Sequence, residues 1–422
     1  MSTTAEKLQK IIDIKNDLKE KINAKGGSIT DTTPFAEYPI QVENISGGGS
    51  VDTTGKHKVT YFDVDGSALK VEYVEDGGTT TPPSDPSYDS EYLQFDCWNY
   101  DVANLVVDRD INIGAIYETI TGDSYLFIRL TEKIGLSPSL NISGTTSIDW
   151  GDGTVDTNLN HTYADYGEYV IKISGMTSIT TYLFGSSSSV YNYSLQKCYL
   201  GNTVTTIVDD AFCNCYSLTS IVIPESVTSI HDYAFNNCYS LTSIVIPESV
   251  TSIGSVFSGC YSLTSIVIPE GVTSIGTSAF TSCCNLTSIV IPESVTSIGN
   301  EVFYNCYSLT SVVIPESVTS IGNSAFCSCR SLTSIVIPES VTSIGSLAFS
   351  SCYSLKNYIF NCSIVPTLSS SNVFGSNNKS VYIWVRDELV DEYKATINWL
   401  TYASYIKPLS SMSDKLREEL GL

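Results

Sequence analysis

The chain has 422 residues, 42% of them hydrophobic, and a formal net charge of −23 at pH 7. The charge argues against nucleic acid as a partner, because phosphate binding needs a Lys/Arg surface, and from Thr203 to Cys352 the only basic residue is Arg330. The same deficit disfavours an anionic membrane surface, and no apolar run approaches the ~20 residues needed to span a bilayer.

The opening, MSTTAEKLQKIIDIKNDLKEK, has no apolar signal-peptide core, since charges interrupt it. Residues 4–24 predict an amphipathic helix, with Leu8, Ile11, Leu18 and Ile22 at three-and-four spacing and Gly26-Gly27 as the stop. A lone helix of that length is marginal in water. Residues 1–46, which include a second short element from Thr33, therefore read as an attachment segment that orders on a partner chain. Gly47 to Ser50 is a flexible linker.

Residues 51–80 predict a β-hairpin: KVTYF and ALKVEYV alternate around the turn residues Asp65 and Gly66. A Pro/Ser/Thr linker follows from Thr79 to Pro86. Residues 91–175 carry the short β patterns SYLFIRL, TTSIDW and YGEYVIKI, which predict a separate small sandwich.

From Leu218 the chain reads LTSIVIPESVTSI, then a variable stretch, an Ala-Phe or Val-Phe pair and a Cys. The phrase restarts at Leu241, Leu263, Leu286, Leu309 and Leu332, so its period is 23 residues, and the copy from Leu241 is one residue short. Looser copies sit at Leu195 and Leu355. Self-similarity at this period predicts a solenoid over 195–376, each copy one coil, with a continuous parallel sheet on one face. In the LxxIxI segment Leu218, Ile221 and Ile223 should point inward, joined by Val227, Ile230, Phe235 and Cys238. Residues 380–422 leave the pattern. A YIWV strand and helices over Asp387–Leu400 and SDKLREEL predict a cap on the last rung. The fold class is thus mainly β: a leucine-rich-repeat solenoid behind small β domains and an N-terminal helix.

A fixed period stacks like residues into columns. Cys215, Cys238, Cys260, Cys283, Cys306, Cys329 and Cys352 form one, read as reduced, buried thiols packed as small hydrophobes. A second runs through Glu225, Glu248, Glu270, Glu293, Glu316 and Glu339; such neighbours repel and should face solvent. Two more are candidate ligand-binding columns. Tyr216, Tyr239, Tyr261, Tyr307 and Tyr353, interrupted by Cys284 and Arg330, offer wide contact area with a polar handle. Val222, Val245, Val267, Val290, Val313 and Val336 alternate outward on the sheet as an apolar stripe.

No catalytic set is visible: there is no nucleophile elbow, P-loop or HExxH. Asp149 and Asp152 in DWGDG fit tight-turn chemistry, and His161 a structural role. With His57, His161 and His231 the only histidines and no CxxC pair, no metal site or cofactor is expected.

The IPESVTSIG…AFxxC phrase resembles the BspA-type leucine-rich repeat, which implies a curved β-solenoid found in adhesins and host-surface binding proteins, without enzymatic residues. The segment HKVTYFDVDGSALKVEYVEDGGTTTPP is similar to the internalin-B-type repeat of adhesins. SIDWGDGT followed by HTYADYGEYVIKI resembles the polycystic-kidney-disease (PKD) domain, an immunoglobulin-like spacer. The opening AEKLQKIIDIKNDLKEKINAKGG with TPFAEY, and the closing VRDELVDEYKATINWLTYASYIKPLS, look like the ends of gut bacteriophage tail and fibre proteins. These resemblances imply a non-enzymatic virion protein of a phage or prophage. It would be held to other virion proteins through residues 1–46 and would turn its solenoid toward a host-surface glycan or protein, with self-association as a further expectation. The alternatives are a bacterial cell-surface adhesin and a purely structural capsid or tail decoration.

Overall fold

The computed structural model describes residues 56–420, apart from 66, 87, 99–101, 103–104, 108–110, 187 and 376–380. The expected N-terminal helix, attachment segment and Gly-rich linker lie outside the described residues.

The hairpin forms where alternation places it. Lys56–Phe62 and Ala68–Glu75 pair antiparallel, with Val59 facing Glu72 and Tyr61 facing Lys70. Two strands that the sequence pattern does not single out, inside the span assigned to the sandwich, join this sheet instead. Ile111–Thr119 lies parallel to Lys56–Phe62, and Leu93–Trp98 pairs antiparallel with Ile111–Thr119. The boundary at residue 91 is therefore corrected: the first sheet reaches Thr119. Its inner face buries Val59, Tyr61, Val107, Ile111 and Ile113.

The remaining strands of the expected sandwich do not close on themselves. Ser124–Leu130 pairs antiparallel with Gly167–Ser174 on one side and with Leu195–Tyr199 on the other. Leu195–Tyr199 is the first LxxIxI-like strand, and it pairs parallel with Ser220–Val222. One six-stranded sheet thus runs from the strands Ser147–Asp149 and Gly167–Ser174 into the solenoid. A single hydrophobic core follows it, from Leu126 through every coil to Ile406. The expected division at 175/195 is not a boundary of packing.

Each coil buries the predicted set. Leu263, Ile266, Ile268, Val272, Ile275, Phe280 and Cys283 are all under 5% exposed. The Phe rings stack down the axis, Phe280 on Phe303 at 5.7 Å and Phe303 on Phe326 at 5.2 Å. From Cys238 to Cys352 each column thiol donates to the Phe carbonyl of the rung before. Examples are Cys306 Sγ to Phe280 O at 3.2 Å and Cys329 Sγ to Phe303 O at 3.3 Å. Burial raises these thiols' pKa, Cys260 to about 12. The Thr before each strand has a similar structural task. Thr310 sends both its N–H (3.0 Å) and its Oγ1 (3.1 Å) to Thr287 O. Repetition of Thr and Cys therefore follows from rung-to-rung hydrogen bonding.

The parallel ladder differs from the expectation in one respect. The unbroken sheet is built from the short Ser-Ile pairs, six strands from Ser252–Ile253 to Thr367–Leu368. The LxxIxI ladder is interrupted: between Ser220–Val222 and Ser288–Val290 it holds only the isolated parallel bridge Val245↔Val267. This interruption falls at the coil that is one residue short; a second separates Ser311–Val313 from Ser334–Ile337, between coils of full length. Most coils turn through two left-handed residues, such as Ser278 and Ser282 or Glu301 and Asn305; the short coil has only Gly259 (φ 78°).

The C-terminal segment continues the stack rather than merely covering it. Tyr382–Val385 and Ile406–Pro408 extend the parallel sheet of Ser334–Ile337 and Asn357–Phe360. The helix expected over Asp387–Leu400 is split into a 3-10 turn, the α-helix Val390–Ala395 and a second 3-10 turn at Leu400–Tyr402. Its Tyr393 and Trp399 fill the core, with Trp399 Nε1 donating to Pro366 O at 2.8 Å. The last helix, Asp414–Leu420, starts at Ser413, whose Oγ accepts the Leu416 N–H.

Candidate ligand-binding face

The Tyr column forms a stacked ladder. Tyr216 lies 4.8 Å from Tyr239, and Tyr239 4.8 Å from Tyr261, with interplanar angles of 39° and 17°. One ring more belongs to it. Tyr193 sits 4.5 Å from Tyr216 and is half exposed; its position 23 residues before Tyr216 was the signal for it in the sequence. Because neighbouring rings lie against one another, their faces are partly occupied. Among the described residues no hydrogen bond is made by the hydroxyls of Tyr216, Tyr239 and Tyr261. The column thus presents a file of hydroxyl groups about one strand spacing apart.

After the gap at Cys284 the column resumes in different chemistry. The Arg330 guanidinium lies 4.4 Å from the Tyr307 ring centroid and 6.0 Å from that of Tyr353. Arg330, which breaks the sequence pattern, is therefore a member of the column, held between two rings by cation–π attraction.

The Val column departs from the expected open stripe. All six side chains leave the solenoid core, as alternation requires, but two other elements cover most of them. Val222 packs with Val64, Leu93, Ala115 and Tyr117 of the first sheet. Val245 meets Gly114, where an added Cβ would lie 2.6 Å from Val245 Cγ1, and Ser243 Oγ donates to Val64 O at 2.9 Å. Val222, Val245 and Val267 are buried. At the other end Val336 packs with Ile359, Trp384, Met412 and Leu416. Only Val313, 59% exposed, and half-buried Val290 remain in the window between, flanked by exposed Ser288 and Ser311. The correction has a simple cause: 23-residue periodicity sees one coil, not what packs across it.

The Glu column faces solvent at Glu248, Glu293, Glu316 and Glu339, which are exposed, while Glu225 and Glu270 are half-buried. Glu225 accepts the Glu248 N–H at 3.4 Å, and Glu270 the Glu293 N–H at 3.2 Å. Glu339 pairs with Arg386 at 3.1 Å. Desolvation, reinforced by Glu225 and Glu270, pushes the Glu248 carboxyl up to about 7.

The residues singled out for turn chemistry do that work. Asp149 accepts the Gly151 N–H and Asp152 the Thr154 N–H, each at 3.0 Å. His161 stacks on Trp150 at 4.9 Å and meets Asp152 at 2.8 Å. Among the described residues no group of three or more His, Cys, Asp or Glu could hold a metal ion, and no helix is long and apolar enough to cross a membrane. Two shallow hollows remain. One, about 400 Å³, lies on the Ser-Ile face beside Asp209, His231 and Asp232. The other, about 490 Å³, lies at the C-terminal end beside Tyr353, Lys356 and Leu416.

The sequence profile of the BspA type leucine rich repeat region matches residues 177–309 and 254–382, in six copies. The repeat region belongs to the BspA-type leucine-rich-repeat family. Its match begins ahead of the first regular coil and runs into Tyr382, in step with the core that spans both junctions. Among solved structures, the BspA-type region is similar to a leucine rich cell surface protein from Faecalibacterium prausnitzii (35% identity, 46% of this chain and 52% of that one, TM-score 0.38). It is also similar to a leucine-rich repeat protein from Bacteroides ovatus (29%, 51% and 54%, TM-score 0.44) and to the T. pallidum Leucine Rich Repeat protein (32%, 42% and 82%, TM-score 0.37). The chain spans about half the length of the first two. No curated protein sequence matches it.

Proposed function

We propose that the chain is a non-enzymatic binding protein whose BspA-type solenoid presents its Tyr ladder to a host-surface glycan or protein. The observation that carries this reading is the ladder itself: four rings from Tyr193 to Tyr261, 4.5 to 4.8 Å apart, with Tyr193, Tyr239 and Tyr261 exposed. Nearly identical contacts at each rung suit a repetitive polymer, whose units engage several rungs and gain through effective concentration. A unique epitope would call for varied side chains along the stack. Tyr307, Tyr353, Val290 and Val313 extend this face toward the C-terminal end. Val222, Val245 and Val267 are left out of it because they are buried, and Val336 because it packs against Ile359, Trp384 and Met412. The test is binding of the full chain to a glycan array and to intact host cells, beside a Tyr239→Ala/Tyr261→Ala variant of unchanged circular dichroism. Equal binding by both chains removes the ladder from the site. No binding by either favours a structural decoration.

The virion-borne form of this reading rests on the resemblance of residues 1–46 and of the closing segment to phage tail and fibre proteins. Other virion proteins would be the partners of residues 1–46. Mass spectrometry of purified particles against a cell-surface fraction separates it from a bacterial adhesin: recovery in the surface fraction alone overturns it.

A further inference from the structure

We propose that the C-terminal hollow of the solenoid binds a carboxylate-bearing sugar unit, so that the ligand is an acidic polysaccharide. This rests on the binding reading above and adds the charge of the ligand and the rungs that read it. The hollow, about 490 Å³, is walled by Tyr353 and Ser334 on the coils, Lys356 and Asn357 at the start of the next strand, and Leu416 on the last helix.

Its charge is opposite to that of the chain as a whole. Arg330 is the one basic residue from Thr203 to Cys352, and Lys356 is the next to follow it. Neither side chain has a carboxylate partner among the described residues, whereas nearby Arg386 is paired with Glu339 at 3.1 Å. In a chain of net charge −23, a cation lining the hollow and a second over its exposed Tyr353 ring, both without a carboxylate partner among the described residues, are a local exception. The Tyr353 ring is 51% exposed, with Arg330 over it at 6.0 Å.

The other groups suit a sugar. Asn357 Oδ1 accepts Trp384 Nε1 at 3.0 Å, which fixes the amide and leaves its nitrogen without a partner among the described residues. Ser334 Oγ is likewise unengaged. An aromatic ring, an apolar Leu, two hydroxyl-matching donors and a cation fit the apolar and hydroxylated sides of a pyranose bearing a carboxylate. The hollow lacks the apolar groove or open strand edge by which a peptide would dock.

The experiment uses the full chain and three probes: oligogalacturonate, its carboxyl-reduced neutral counterpart, and poly-L-glutamate. Oligogalacturonate should bind, more weakly as salt rises, with the reduced oligomer clearly weaker. Lys356 is exposed, so Lys356→Gln should keep the fold and lose about fivefold in affinity, the scale of one exposed ion pair. Lys356→Glu should lose more. Equal binding of the charged and reduced oligomers, or wild-type affinity in Lys356→Glu, overturns the proposal. So does poly-L-glutamate binding as tightly as oligogalacturonate, which would make the site a general anion patch. Binding to host cells that ignores Lys356 but needs Tyr239 and Tyr261 sinks this inference alone; absence of all binding sinks the wider reading.

Discussion

Replacing Phe303 by Ala tests whether the solenoid is held together rung by rung. The ring is fully buried and stacks on Phe280 at 5.7 Å and on Phe326 at 5.2 Å. A buried Phe→Ala change costs about 3–5 kcal/mol through lost transfer energy and the cavity left behind. Of that, the two aromatic contacts account for roughly 0.5–1.5 kcal/mol each. In a quasi-one-dimensional stack this loss falls on the two interfaces that Phe303 makes, because each coil touches only its neighbours. Hydrogen exchange by mass spectrometry reads the loss by position. Coils around 280–326 should lose protection equivalent to about 3–5 kcal/mol, while the paired strands Ser124–Leu130 and Gly167–Ser174 keep most of theirs. Phe303→Leu should cost well under half as much. An equal loss of protection from residue 124 to residue 408 would refute the rung-by-rung account and make the chain one cooperative unit. A loss below about 1 kcal/mol would refute the packing argument itself.

Four further outcomes are expected. Gly322→Ala should destabilise by at least about 2 kcal/mol in guanidinium titration, since the added Cβ would lie 2.5 Å from the Gly299 carbonyl carbon and oxygen. Leu347→Gly should raise stability by roughly 0.5–1 kcal/mol in the same titration, by relieving a left-handed residue (φ 59°) at a surface position. The Glu248 carboxyl is raised to about 7 in the folded chain, so the folded state holds the proton more tightly than the unfolded one. Stability should then rise as pH falls from about 7 toward the ordinary carboxylate range, and Glu248→Gln should flatten that slope, by under about 1 kcal/mol given solvent screening at this exposed residue. Native-state alkylation followed by peptide mapping should label half-buried Cys284 and Cys327 ahead of the seven column thiols, whose burial keeps them protonated and out of reach.

The candidate site was legible in part. The Tyr column was visible as residues at constant spacing, and the same arithmetic extends it to Tyr193. That its rings lie against one another, and so partly occupy one another's faces, depends on side-chain torsions that spacing does not specify. Arg330 looked like an interruption; only its distance to the rings of Tyr307 and Tyr353 makes it part of the column. Lys356 drew no notice in the sequence, because the last helix that completes the hollow lies 58 residues beyond it, at Asp414.

The amino-acid sequence by itself determined the coil: which side chains point inward, where Cys, Phe and Thr recur, and that neighbouring coils stack in parallel register. Those features are local, since a repeat buries its apolar face only against a copy of itself. Tertiary structure alone decided where the stack begins and ends and which part of its surface stays open. Leu195–Tyr199 joins Ser124–Leu130 to the first coil, and Tyr382–Val385 and Ile406–Pro408 add rungs that carry no trace of the repeat phrase. The first sheet covers Val222 and Val245 and the last helix covers Val336, leaving Val313 in the gap. Such contacts join residues far apart in the chain, Ser243 and Val64 among them. They depend on shape matching between unlike surfaces, which no periodicity along the chain encodes.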